Sequence, residues 1–274
     1  MSPIRVIFGM TLREASRRRI LSMGVLIGLA MLLLFGVALY FISRETPPNA
    51  IIAKELSKMF LVIGMYPFNM LVAMVAVFGS ADTLAGEIRS GVVQTMASKP
   101  IHRGQIVLGK WLAYAALLGG YLLLLTGGQT AVVYALRGFY PPRFPAAFGF
   151  MWLEALLLLS VTMWASSRLS TLAAGVVAIG LHGLAFLGGW IEEIGHVAGN
   201  NSAEMVGVVA SVVFPSEALW RRAAYELQQP IVVSVIGTPF GARVVPSDWM
   251  AVYAALYAAF ALAMAVRSFS RRDL

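Results

Sequence analysis

Residues 20–42 read ILSMGVLIGLAMLLLFGVALYFI, 23 positions without a charge. A helix needs about 20 mostly apolar residues to cross a hydrocarbon core roughly 30 Å thick. A signal-peptide core is shorter, about 7–15 residues, and is followed by a small-residue cleavage site that this stretch lacks. The stretch therefore reads as a retained membrane span. Five more runs share its character, at 59–80, 106–136, 147–166, 170–190 and 249–266. The second holds Tyr66-Pro67 near its middle, which predicts a kink. The third is long enough to tilt or to begin inside the cytoplasm.

The whole chain agrees with these runs. Of its 274 residues, 59% are apolar and 12% are charged, where soluble domains average about 45–50% and 25%. Mean hydropathy is +0.79. This balance excludes an ordinary soluble enzyme and a disordered chain. The absence of cysteine excludes a disulfide framework, a cysteine zinc site and a thiol nucleophile. The expected fold is an all-α integral membrane protein with six transmembrane helices, a single transmembrane domain over 1–274.

An even number of spans puts both termini on one side. That side takes residues 1–19, 81–105, 167–169 and 267–274, with Lys110 at its boundary. It holds 13 of the 21 basic residues and 4 of the 13 acidic ones, a net charge of +9 against −1 for the rest. The positive-inside bias makes it the cytoplasm. The basic total is thus an orientation signal. A nucleic-acid partner would require a basic face with stacking aromatics on a soluble module, and the sequence has none.

Three segments lie outside the spans. Ile4, Ile7, Phe8, Leu12 and Ala15 recur at helical spacing and predict an amphipathic helix on the cytoplasmic leaflet. It serves as a membrane anchor or as a contact for a partner. Residues 81–110 read ADTLAGEIRSGVVQTMASKPIHRGQIVLGK. Ile88, Val92 and Met96 share a helical face beside Val93, Gly86 and Gly91 permit breaks, and Pro100 ends any helix before it. A short cytoplasmic helix followed by a turn is expected. The large outer loop, 191–248, contains 203–214, too short to span, and 215–227, where Pro215, Ser216 and Glu217 signal a helix start. Two short helices packed on the outer ends of the spans, partly re-entrant, are expected there, then an irregular 231–241.

Several motifs were weighed for chemistry. Gly104–Lys110 nearly matches the phosphate-binding GxxxxGK[ST] pattern, but Trp111 replaces the hydroxyl and no strand precedes it. Nucleotide binding by that motif is excluded. Glu154 lies about 10 Å below the outer boundary of span four, with Gln129 and His182 at about 10 and 12 Å in spans three and five. If their faces converge they form a polar layer, either a polar substrate or proton site or a hydrogen-bond cluster joining helices. Glu192, Glu193 and His196 read better as a solvated loop than as a metal site. Gly24 and Gly28 allow close approach along span one, within the chain or at a subunit interface.

Taken in order, these segments resemble the membrane subunit of type-2 ATP-binding-cassette (ABC) transporters, the exporter-like permease family. The layout covers the whole chain. The local match is Glu87-Ile-Arg-Ser-Gly91, Lys99-Pro100-Ile101-His102-Arg103 and Leu108-Gly109-Lys110, with Phe214-Pro215-Ser216 before the outer helix. His102 stands where relatives usually carry a hydroxyl. The resemblance implies a non-catalytic permease in the inner membrane of a prokaryote, both termini cytoplasmic. It binds no cofactor itself, and ATP and Mg sit on cytoplasmic ABC ATPase partners. A second permease copy completes a homodimer. A helix around 84–97 would dock in the ATPase through Glu87, Arg89, Gln94 and Lys99, with Val92, Val93 and Met96 as an apolar plug and Arg13 and Arg17 nearby. Size and layout are also similar to the permease for copper-site maturation of nitrous oxide reductase. Many permeases share that layout, with cargoes from drugs to polysaccharides. The outer loop has the length to dock a periplasmic or extracellular partner. Two other classes stay open: an ATP-independent, proton-coupled secondary transporter using Glu154 and His182, and a membrane scaffold binding a partner through its outer loop.

Overall fold

The computed structural model describes residues 3–45, 50–90, 102–228 and 245–271. Among these residues the regular structure is entirely helical. We label the helices α1 (Pro3–Ser16), α2 (Arg19–Glu45), α3 (Ala50–Ser90), α4 (Arg103–Arg137), α5 (Phe144–Ser166), α6 (Thr171–Ala198), α7 (Asn201–Val213), α8 (Ser216–Gln228) and α9 (Asp248–Ser270). Six of them, α2, α3, α4, α5, α6 and α9, are long and apolar enough to cross a membrane. The chain is a multi-pass membrane protein.

Local chemistry sets the helix ends. Gly138 and Gly199 close α4 and α6 at φ of 66° and 65°, a left-handed conformation that glycine adopts without a Cβ penalty. The Ser170 hydroxyl accepts from the Ala173 N–H at the start of α6, and the Asn200 side chain accepts from Ser202 and Ala203 at the start of α7. Each satisfies amide donors that a helix start leaves open.

Helix α5 is the centre of the bundle, packed against α3, α4, α6, α8 and α9. It buries Met151, Leu157, Leu158 and Leu159. Helix α2 stands at the edge. Only 11% of its most apolar window is buried, and Leu26, Leu33 and Leu34 are open to the surroundings. In water that face would be untenable; in lipid it is the expected state.

The structure departs from the sequence reading in three places. First, α3 continues through Pro67 and Gly86 to Ser90. Glycine inside a helix costs about 1 kcal/mol but does not end it, so no separate helix begins near residue 84. Residues 91–101, with Val92, Val93, Gln94, Met96 and Lys99, lie outside the described residues, as does 231–241. Second, α1 is more than a surface anchor. It packs across the end of α4, burying Ile7, Thr11 and Ala15. A Cβ at Gly109 would stand 2.8 Å from Ile7 Cγ2, so the glycine permits this crossing. Third, α6 runs to Ala198, and α7 folds back along it in the opposite direction. A Cβ at Gly195 would fall 2.7 Å from the Ala203 Cβ, and one at Gly188 2.2 Å from the Ala210 Cβ. The chain then bends by 104° into α8, which enters the bundle between α5, α6 and α3. Glu192 and His196 therefore belong to a helix and not to a solvated loop.

Candidate functional site

Two groups of polar side chains stand out, one inside the bundle and one at the arginine-rich end. The inner group centres on Glu154 of α5, which is 1% exposed. Its Oε2 accepts from the Asn69 amide of α3 at 2.8 Å. Its Oε1 stands 4.0 Å from His182 Nδ1 of α6 and has no hydrogen-bond partner. The same His182 nitrogen shares a hydrogen bond of 2.9 Å with Ser216 Oγ, the first residue of α8. Glu217 follows, buried, with Oε2 also unpartnered. It fits because α6 has no side chain at Gly189, where a Cβ would approach Glu217 Cγ to 2.6 Å. The positive end of α8 points into this cluster and favours acids there. Tyr66 and Trp220 pack edge to face beside it, centroids 5.1 Å apart.

Glu154 and His182 are thus brought together. Gln129 is not. Its Nε2 donates to the Leu61 carbonyl of α3 at 2.9 Å, in the space left by Gly64. All three are buried, so in this packing they join helices. The cluster ties α3, α5, α6 and α8 around one carboxylate.

Further along α8 the ties are ionic. Arg221 pairs with Glu192 of α6 at 2.7 Å, both buried, and donates to Ser211 of α7 at 3.3 Å. Arg222 pairs with Glu226 at 3.1 Å and with Asp248 of α9 at 2.6 Å, while Arg143, just before α5, reaches Glu226 at 3.1 Å. At the turn from α6 to α7, His196 Nδ1 lies 2.8 Å from Glu204 Oε1.

The second group lies where α1 turns into α2. Arg18 pairs with Glu14 at 2.7 Å and with Asp82 of α3 at 3.5 Å. Burial works against the Arg18 charge, but the Glu14 hydrogen bond and the neighbouring charges, Glu14 and Asp82 among them, together outweigh it and hold the guanidinium above its ordinary value. Asp82 also accepts from Thr171 Oγ1, at the first turn of α6, at 3.0 Å. About one and a half to two turns further along α3, Glu87 and Arg89 fall in its last residues. Arg13 and Arg17 are exposed on the same end. Lys110 is buried, and its Nζ donates to the Thr83 carbonyl at 3.1 Å. Gly104 through Lys110 are already helical in α4, so no phosphate-cradling loop forms there.

Residues 11–274 match the family described as ABC-2 family transporter protein. The chain belongs to that family. No curated protein matches it. Family membership makes this ABC-2 chain a permease subunit, a component of membrane transport.

Several residues of both groups escape a reading of the sequence. Asn69 is one neutral amide in a 41-residue helix. Glu217 reads as the first-turn acid of a surface helix, and its burial follows from the bend at Phe214-Pro215. Asp82 is visible only as one charge of the basic side. Its pairing with Arg18 needs the elbow and α3 to be placed together.

Proposed function

We propose that this exporter-like ABC-2 permease subunit couples ATP hydrolysis on a separate cytoplasmic ABC ATPase to movement of a substrate across the membrane. ATP and Mg act on that partner. The arginine-rich end is the cytoplasmic face, by the positive-inside bias, so both termini are cytoplasmic and the membrane is the inner membrane of a prokaryote. Two copies pair as a homodimer, each on an ATPase. The observation that carries this reading is the family match across nearly the whole chain, on a protein with six membrane-length helices.

The geometry at the basic end supports a coupling path. Residues 84–97 engage the ATPase through Glu87, Arg89, Gln94 and Lys99, with Val92, Val93 and Met96 as the apolar contact. Because α3 continues into this segment, a push on it moves a rigid span. Asp82 then carries the displacement to the α1–α2 elbow through Arg18 and to α6 through Thr171. ATP-driven closure thereby biases a packed bundle between two arrangements. Within 191–248, the exposed face of α7, with Met205, Val206 and Val209, offers a docking surface for an outer partner.

Val92→Asp tests the coupling assignment. The expected result is a chain that inserts and folds as before but no longer retains the ATPase on affinity purification. Normal ATPase retention and transport in that variant would remove the segment from its proposed role. A gradient-driven reading draws on the approach of Glu154 and His182. It predicts transport that persists without nucleotide and stops in Glu154→Gln.

A further inference from the structure

Between α1, α2 and α4, on the half of the molecule nearest the basic end, lies a groove of about 730 Å³. Ligand sites typically measure about 300–1,000 Å³. Its walls are apolar, with Val25, Leu26 and Leu29 from α2 facing Leu117 and Leu124 from α4. Its floor is made of small residues. Ala116 and Gly120 line it, and a Cβ at Gly120 would meet nothing within 4 Å. Tyr121 also lines the groove, but its hydroxyl donates to the Gly24 carbonyl at 2.6 Å and holds α2 against α4.

The polarity of the groove is confined to one end. Ser16 and Ser22 line it there, beside Arg17 and Arg19, both exposed. The neighbouring Arg18 is engaged by Glu14 and Asp82. Arg19, Ser22, Leu26 and Leu29 recur at three- and four-residue steps, so they share one face of α2. From Arg19 to Leu29 the helix rises about 15 Å, the depth of one leaflet of a core about 30 Å thick. The groove therefore runs from headgroup level to the midplane, with cations at its headgroup end.

We propose that this groove binds an anionic phospholipid, its phosphate at Arg19 with Arg17 adding charge, and one acyl chain laid along α2 over Ala116 and Gly120. A second copy of the chain has no need of cations at one end of an apolar slot one leaflet deep. A phospholipid needs both. Anionic lipids of the cytoplasmic leaflet are drawn to basic juxtamembrane residues. Only the choice of leaflet rests on the orientation proposed above.

The test is native mass spectrometry of the purified full-length chain, with any co-purifying ATPase, after addition of equal amounts of phosphatidylglycerol and phosphatidylcholine of the same acyl chains. Wild type is expected to retain phosphatidylglycerol several-fold over phosphatidylcholine. Gly120→Leu fills the floor and is expected to retain neither, while Arg19→Gln retains the two alike. Equal retention of both lipids by wild type overturns the proposal, as does unchanged retention in Gly120→Leu. If Gly120→Leu fails to fold by gel filtration, Ala116→Leu fills the same floor one turn earlier and takes its place. A changed dimer fraction in the filled variant, with lipid retention unchanged, would assign the groove to a second copy of the chain. Failure of the ATPase to co-purify would leave these lipid ratios unaffected, so the two proposals fail separately.

Discussion

Glu154 sits ten residues into α5, bonded through one oxygen to Asn69 and standing 4.0 Å from His182 with the other. A carboxylate so placed is costly in a membrane interior and persists where partners meet it. In membrane bundles an interhelical hydrogen bond contributes about 0.6 kcal/mol, with a maximum near 1.7. Glu154→Ala removes the acceptor from the buried Asn69 amide. The expected loss is of that order, seen as a fall of about 2–4 °C in unfolding midpoint per kcal/mol for the detergent-solubilised chain. Glu154→Gln keeps an acceptor oxygen and should lose less. An alanine variant as stable as wild type would show that the Asn69 contact contributes nothing. Glu154 and His182 were legible in the sequence because an ionisable group in an apolar run stands out. Their distance from the helix ends gave depth, at about 1.5 Å per residue. Each residue also turns the helix by about 100°, and the rotation of one helix against another is not written in any one segment. Gln129 shows the result, at a comparable depth but turned to the Leu61 carbonyl.

At the scale of elements, the tightest fit is between α6 and α7. Gly188 and Gly195 of α6 face Ala210 and Ala203, and Gly207 of α7 faces Glu192. A Cβ at Gly207 would lie 2.2 Å from the Glu192 Cβ and 2.6 Å from the Gly188 carbonyl oxygen. Backbone cannot yield there, so Gly207→Val must part the two helices and disturb Glu192, the partner of Arg221. Overpacking of this kind costs about 1–3 kcal/mol. The variant should unfold at a lower temperature and be cut faster by protease between 198 and 216. Gly183→Ala is the control, because a Cβ there meets nothing within 4 Å; equal behaviour of the two would contradict the seam. The six spans were legible as elements because each is a charge-poor run of membrane length. The fold-back was less so. The stretch 203–214 is too short to span, which pointed to re-entry, but its course along α6 depends on small residues spaced seven apart on one helix matching those of another. Helix α1 is similar. Its periodicity marked an apolar stripe, while the buried face also takes in Thr11, and Gly109 of α4 opens a place for Ile7.

For the whole molecule, the apolar composition sets the solvent, and the arginine distribution is the basis of the proposed orientation. The family match then adds what composition cannot, that this is a permease subunit of ABC-2 type. The physical account asks the bundle to be stiff where force enters. Helix α3 is continuous to Ser90, within the segment proposed to couple, and its Asp82 is linked to the elbow before α2 and to the start of α6. At the other end, α8 is held to α6 by a buried ion pair, to α9 by a second ion pair and to α7 by the Arg221–Ser211 hydrogen bond. The central claim is that the force comes from a separate ATPase. Affinity capture of the mildly solubilised chain from its native membrane, followed by mass spectrometry of what accompanies it, tests this most directly. The account predicts a cassette ATPase in roughly equal amount to the permease. A folded, dimeric permease recovered without one would contradict it and turn attention to Glu154 and His182 as carriers of a gradient-driven mechanism.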